Sequence, residues 1–209
     1  MKIAVIIPAY NEEARIGDVI DVVKTVRIID DIIVVDDGSE DSTYDISIGK
    51  GITTIRLPEN RGKGAAIIEG TKHTQADILL LLDADLIGLT QEHILNLLEP
   101  VVHGQYDMSY GIFSHGRTTT DLAQKVAPFL TGQRVIRREI LLNIDCLEIT
   151  RFGLEVAITR YFKKNNLVSI GIQMDNLTHV MKEEKLGLIK GLGARFKMYW
   201  EIVKTLKIS

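Results

Sequence analysis

Ile78-Leu79-Leu80-Leu81-Leu82-Asp83-Ala84-Asp85-Leu86 is the stretch that decides how this chain folds. Five consecutive apolar residues stop abruptly at two carboxylates one residue apart. Unbroken rather than alternating hydrophobicity marks a strand buried on both faces, as in a parallel sheet covered by helices. Asp83 and Asp85 therefore fall at its carboxyl end, the edge where open α/β sheets bind ligands. Two carboxylates on one side of an extended segment form a hard-oxygen site suited to Mg2+ or Mn2+.

Upstream, the same pattern occurs twice more. Ile3 to Ile7 predicts a first strand closed by Pro8, which has no N–H for a sheet ladder. Asn11 is the expected N-cap of the following helix, with Glu12 and Glu13 at its positive end and Ile16, Val19, Ile20, Val23 and Val26 at helical spacing. Ile32 to Val35 is a second strand ending in Asp36-Asp37-Gly38-Ser39, with Asp41 or Ser42 opening a short helix. Ile52 to Leu57 is a weaker third strand, followed by Pro58-Glu59-Asn60-Arg61-Gly62-Lys63-Gly64. Glycines that let backbone approach a ligand, with basic side chains at a helix start, suit phosphate.

Downstream, Gln91 to Val102 predicts a helix and Tyr106 to Phe113 a strand. This alternation implies an α/β fold, a mostly parallel sheet with helices on both faces. Ser114 to Ala127 is polar and aperiodic, the expectation for a substrate-gating loop. Arg137-Arg138-Glu139 predicts a basic helix start, Phe152 to Phe162 a helix carrying Glu155, and Leu167 to Ile172 a last strand.

From about residue 184 the character changes. Ile189, Leu192, Phe196, Tyr199, Val203 and Leu206 step by three or four, and residues 182 to 209 hold seven basic and three acidic side chains. The expected organisation is a domain over 1–183 and an amphipathic basic C-terminal helix over 184–209. Such a helix suits an anionic membrane surface, or packs on its own domain or on a second copy as a homodimer.

A formal charge of -3 and a pI near 6.0 argue against nucleic acid as a general partner. The single cysteine, Cys146, forms no internal disulfide, which points to a reducing cytoplasmic setting. No run approaches the roughly 20 apolar residues of a spanning helix, so the chain is expected to be soluble or peripheral on the inner face of a membrane.

Four loops on one sheet edge thus carry Pro8-Ala9-Tyr10-Asn11-Glu12-Glu13, Val35-Asp36-Asp37-Gly38-Ser39, Arg61-Gly62-Lys63-Gly64 and Asp83-Ala84-Asp85. Their order and content resemble family 2 glycosyltransferases of the GT-A fold, a Rossmann-like architecture. The resemblance implies a metal-dependent enzyme moving a hexosyl group from a nucleotide sugar, UDP-linked in preference to GDP-linked, to a small phosphorylated or polyprenyl-phosphate acceptor. It implies Asp85 as a direct ligand of Mg2+ or Mn2+, with Asp83 on the ribose or a metal-bound water. Pro8, Ala9, Tyr10, Asn11, Glu12 and Ala84 would line the nucleotide pocket, Asp37 would accept from the nucleobase, and Lys63 would sit near base or phosphates.

The second half resembles glucosyl- and mannosyl-3-phosphoglycerate synthases in Thr131-Gly132-Gln133-Arg134 and Phe152-Gly153-Leu154-Glu155, and also polyprenyl-phosphate sugar synthases. By that resemblance Arg134 meets an acceptor phosphate, Glu155 orients the acceptor or acts as base, and His179 completes the metal shell. The chain lacks the N-terminal extension of the first group and the hydrophobic hairpins of the second. Two other readings remain: a catalytically silent nucleotide-sugar-binding module, and a sugar nucleotidyltransferase. The latter needs a Gly-rich signature with Arg and Lys after strand one, where this chain has Pro8-Ala9-Tyr10-Asn11.

Overall fold

The computed structural model describes residues 1–114, 131–144 and 154–179. The elements run β1 (Ile3–Ala9), α1 (Ile16–Lys24), β2 (Asp31–Asp36), α2 (Thr43–Gly49), β3 (Thr53–Arg56), α3 (Lys63–Lys72), β4 (Ile78–Leu81) and β5 (Leu86–Ile87). They continue α4 (Gln91–Val102), β6 (Met108–Ser114), β7 (Arg134–Arg137), α5 (Arg138–Leu142), α6 (Leu154–Lys164), β8 (Ser169–Asp175) and β9 (Thr178–His179). Among the described residues seven strands form one sheet in the order β3-β2-β1-β4-β7-β6-β8, in which β7 alone runs against the rest.

Alternating side chains divide the core between the two faces. Ile3, Val5, Ile7, Leu80 and Leu82 pack with Ile16, Val19, Ile20 and Val23 of α1 and Ile94, Leu97 and Leu98 of α4. Ala4, Ile6, Leu79 and Leu81 face the other way, against Ala66 and Ile67 of α3 and Leu154, Ile158 and Phe162 of α6. The leucine run is thus apolar throughout because both of its faces are covered. Asp83 and Asp85 follow directly on that strand.

β1 lies between β2 and β4, and the chain leaves it first to one side and then to the other. This reversal opens a crevice at the carboxyl edge, where neighbouring crossover segments diverge. β7 reaches the same edge by its antiparallel course: Arg134 pairs with Leu81, so the residues preceding Arg134 lie beside those following β4. The sequence reading missed this strand. Arg134-Val135-Ile136-Arg137 has only two apolar residues between cations and carries no strand signal ahead of the helix start at Arg137-Arg138-Glu139, yet Val135 and Ile136 are fully buried. It also missed β5 and β9, two residues each, where Leu86 pairs with His179.

Asn11 is not the cap of α1, contrary to expectation. It has φ 55, its side-chain oxygen accepts from Glu40 N at 2.9 Å, and its own N–H donates to Ser39 Oγ at 2.9 Å. Glu12 N donates to Thr43 Oγ1, Glu13 N to Asp41 Oδ2, and Ser42 N to Glu13 Oε2. These reciprocal bonds clasp the loops after β1 and β2 together, and α1 starts four residues past Glu12. Its first turn is instead entered through Glu12 O, which accepts from both Arg15 N and Ile16 N. Pro8 likewise does not close β1, which continues to Ala9 opposite Asp36.

Within α3, Gly70 brings the helix onto the sheet. A Cβ there would stand 2.7 Å from Ile6 Cγ2 and 3.1 Å from Val35 Cγ2. Alanine raises helix propensity by roughly 1 kcal/mol, but forcing a methyl into a packed core costs about 1–3 kcal/mol. The clash is expected to win. Gly70→Ala should lower the thermal midpoint by a few degrees, on the order of 2–4 °C per kcal/mol for a chain of this size. A rise in midpoint would mean that the α3–sheet contact is looser than described.

Candidate active site

Lys63, the first residue of α3, carries its ammonium into the crevice. Its Nζ lies 2.7 Å from Asp83 Oδ1 and 3.0 Å from Glu155 Oε1. One cation therefore bridges the loop after β4 and the first turn of α6. Burial disfavours the charge, but the two carboxylates outweigh that penalty and hold Lys63 above the ordinary lysine range. Lys63 is a fixed positive charge at any physiological pH.

The second oxygen of Asp83 accepts from Gln133 Nε2 at 2.7 Å, and the Gln133 amide oxygen accepts from Thr131 Oγ1 at 2.8 Å. Between them Gly132 leaves no room for a side chain: an added Cβ would overlap the Asp83 carboxylate and stand 2.5 Å from Lys63 Nζ. Thr131, Gly132 and Gln133 form a rim built around Asp83, and composition offered no sign of it. Only the antiparallel course of β7 could have revealed it, since 50 residues separate Gln133 from Asp83.

Arg134, expected from the resemblance to meet an acceptor phosphate, is 1% exposed. Its Nε donates to Thr131 O at 3.0 Å and an η nitrogen to Met108 Sδ at 3.6 Å. Burial pulls this guanidinium below its ordinary value, opposed by the nearby carboxylates of Glu155 and Asp83. It remains a cation at neutral pH, lying beneath the rim.

On the other side of the crevice Asp37 is also buried, and its two oxygens accept from Arg61 N and Gly62 N, each at 2.8 Å. The carboxylate thereby fixes the loop that presents Lys63. Asp36 Oδ1 accepts from Ser39 N, and its Oδ2 lies 3.3 Å from Arg56 Nε without the alignment of a hydrogen bond. Arg56 also donates to Ser39 O and lies over the Tyr44 ring, 5.0 Å from its centroid. A cavity of about 670 Å3 opens here, lined by Tyr10, Ser39, Arg56, Pro58 and Asn60 among others. Tyr10 is the exposed aromatic of that wall. Pro8 and Ala9 lie in β1 opposite Val35 and Asp36, and Glu12 belongs to the clasped loop.

The donor set fits a divalent cation in its chemistry. Asp83 and Asp85 flank buried Ala84 at the strand end, and oxygen ligands suit Mg2+ and Mn2+. Asp83 is held by Lys63 and Gln133, and Asp85 is partly buried two residues on. Among the described residues no cluster of three His, Cys, Asp or Glu side chains is assembled for a metal. The backbone of His179 lies opposite Leu86, next to Asp85, and its side chain is outside the described residues. The expected gating loop beyond Ser114, Cys146 and the amphipathic helix over 184–209 are also outside them.

Comparison with known proteins agrees with this geometry. The family model "Glycosyl transferase family 2" matches residues 4–160. A dolichyl-phosphate beta-glucosyltransferase of Dictyostelium discoideum is 30% identical over 156 residues, 67% of this chain and 46% of that enzyme. A glucosyl-3-phosphoglycerate synthase of Mycobacterium tuberculosis is 33% identical over 112 residues, 49% of this chain and 35% of that enzyme. The chain thus matches less than half the length of either relative. The crystal structure of the M. tuberculosis synthase with Mn2+ and UDP-glucose superposes with a TM-score of 0.78 at 25% identity, covering 98% of this chain and 77% of that one. Four loop motifs on one sheet edge, the Lys63-bridged carboxylates and a family match across three quarters of the sequence have one common explanation: this chain belongs to glycosyl transferase family 2.

Proposed function

We propose that this protein transfers a hexosyl group from a nucleotide sugar, preferentially UDP-linked, to a phosphorylated acceptor. The observation that carries the reading is the convergence of Lys63, Asp83, Asp85 and Glu155 on the carboxyl edge of the sheet, beside the cavity lined by Tyr10, Ser39 and Arg56. Donor binding falls to Pro8, Ala9, Tyr10, Asn11, Glu12, Asp37, Lys63, Asp83 and Ala84. The aromatic ring of Tyr10 suits a nucleobase, and the clasp through Asn11 keeps that wall rigid.

Asp85 would hold Mg2+ or Mn2+, with His179 as a further ligand. When bound, such a cation stabilises the departing diphosphate by charge, with no proton transfer. Asp83 keeps its orientation through Lys63 and Gln133. Lys63, at the start of α3, adds a second positive charge where the phosphates arrive. Glu155 stands on the acceptor side, 3.0 Å from Lys63, placed to orient an acceptor hydroxyl or accept its proton. Arg134 contributes from below the rim, its charge and its bond to Thr131 O holding the turn that frames Asp83.

The acceptors of the two named relatives differ in size and solubility, and share a phosphate. A phosphoglycerate-like small molecule and a polyprenyl phosphate are therefore the two classes to assay, with UDP-glucose as donor and Mn2+ or Mg2+ present. Asp85→Ala is expected to reduce transfer at least about a hundredfold, the scale of losing a preorganised charge-stabilising group. Wild-type activity in that variant would remove the metal assignment. Binding of UDP and Mn2+ without transfer or slow hydrolysis would favour a silent binding module.

Gly132→Ala separates positioning from folding. The new methyl displaces the Asp83 carboxylate and the Lys63 ammonium, so turnover should fall about 10- to 100-fold, as when the supporting partners of metal ligands are lost. The thermal midpoint should fall by only a few degrees, because the displaced Asp83 and Lys63 side chains are each 27% exposed and can re-pair towards the crevice. Unchanged turnover would mean that the rim does not control Asp83.

For the C-terminal segment, residues 182–209 with seven basic and three acidic side chains support reversible binding to an anionic lipid surface on the cytoplasmic side. Among the described residues no helix is long and apolar enough to cross a membrane. Co-sedimentation with phosphatidylserine vesicles is expected at low salt and should weaken as salt rises. Equal recovery with and without vesicles would overturn the lipid reading, and dimers by analytical ultracentrifugation would assign the same apolar stripe to a second copy.

A further inference from the structure

Lys63 does more in this structure than stand near phosphates: it occupies the position of a counter-ion. Its ammonium lies 2.7 Å from Asp83 and 3.0 Å from Glu155, while Gln133 takes the other Asp83 oxygen at 2.7 Å. Asp83, Asp85 and Glu155 contribute three negative charges, and Lys63 and Arg134 two positive ones, leaving a net charge of -1. Without Lys63 the same group of side chains would carry -2. A divalent cation is drawn to a site in proportion to the unbalanced negative charge around it.

We propose that Lys63 acts as a built-in counter-ion that keeps the carboxylate cluster from taking up a divalent cation on its own, so that cation and nucleotide bind as a coupled pair. The proposal rests on the glycosyl-transfer reading for the identity of the nucleotide. A lysine suits the task better than an arginine would, because its ammonium is a compact point charge on a flexible stem. A diphosphate entering beside the start of α3 offers Lys63 a competing anion. As Lys63 turns towards it, Asp83 and Glu155 lose their compensation at the moment when the diphosphate supplies additional oxygen ligands. The same movement frees Glu155 on α6 to face an acceptor, so one side chain ties donor arrival to acceptor-side readiness. Gly132 is a condition for this arrangement, since any side chain there would occupy the space in which Asp83 and Lys63 meet.

Linkage requires that each ligand strengthen the other by the same factor. The test is Mn2+ titration of wild-type protein, Lys63→Met and Lys63→Arg by calorimetry and by loss of the free Mn2+ resonance signal, with and without saturating UDP. Wild type should bind Mn2+ alone weakly and gain about tenfold or more with UDP. Lys63→Met should bind Mn2+ alone about tenfold more tightly and lose most of the UDP-dependent gain, while Lys63→Arg keeps the charge and returns towards wild type. Glu155→Gln provides a variant of opposite sign: Lys63 is left to Asp83 alone, and Mn2+ uptake without nucleotide should weaken further. Equal Mn2+ affinity in wild type and folded Lys63→Met would overturn the counter-ion role, whatever UDP does. Absence of any UDP effect on Mn2+ in the wild type, with Lys63→Met still binding Mn2+ more tightly, would overturn the coupling and leave only the counter-ion; no heat of UDP binding with Mn2+ present would instead sink the nucleotide-sugar reading. If Lys63→Met does not fold, the Glu155→Gln and Lys63→Arg titrations decide, since affinity rising in Glu155→Gln contradicts the proposal.

Discussion

The covering of β4 on both faces is the constraint from which the site follows. Leu79 and Leu81 pack towards α3 and α6, and Leu80 and Leu82 towards α1 and α4. Burying one such side chain contributes roughly 1.5–3 kcal/mol, so a shift of register that drew Asp83 inward would lose one or more of these contributions and bury a charge. The strand can therefore end in only one place. The carboxylates are delivered to the sheet edge by what precedes them, and the flanking β1 and β7 fix their lateral position through Ile6–Leu81 and Leu81–Arg134 pairing.

What was legible in the sequence follows from the same physics. β1, β2 and β4 could be read because burial on both faces leaves an unbroken apolar run, and α4 because Ile94, Leu97, Leu98 and Val101, all buried, recur at helical spacing. β7 could not, since a four-residue strand between charged ends has no period to detect and takes its identity from its neighbours. The small β5–β9 pair was hidden for the same reason. Thr131 and Gln133 stand in a motif of the resemblance, but their place against Asp83 is invisible without β7, because only its antiparallel course brings a segment 50 residues downstream to that carboxylate.

Residue identity also proved more legible than residue role. The resemblance assigns Asp37 and Asn11 to a nucleotide pocket, and both follow strands at the carboxyl edge of the sheet. Their described hydrogen bonds, however, serve the backbone: Asp37 holds Arg61 and Gly62, and Asn11 joins the first loop to the second. A sequence motif records that a side chain is needed at a position without saying whether it touches ligand or the loop that does. Here several motif residues are a scaffold for their neighbours, among them exposed Tyr10 and the Lys63 that opens α3.

This division of labour explains why so polar a site can be stable before any ligand arrives. A buried carboxylate without partners would cost several kcal/mol, yet Asp83, Asp37 and Glu155 each have a cation or backbone N–H in place. Asp36, fully buried, is satisfied less completely: one oxygen accepts from Ser39 N and the other lies near Arg56 without a hydrogen bond. Arg56 in turn is held by Ser39 O and the Tyr44 ring, so its freedom to improve that contact is limited. The compensation around Asp83 is different in kind, because a lysine on the first turn of a helix can swing away without disturbing the sheet. The bonds to backbone thus gather around Asp37 and Asn11, and the compensation carried by a flexible side chain gathers around Asp83 and Glu155.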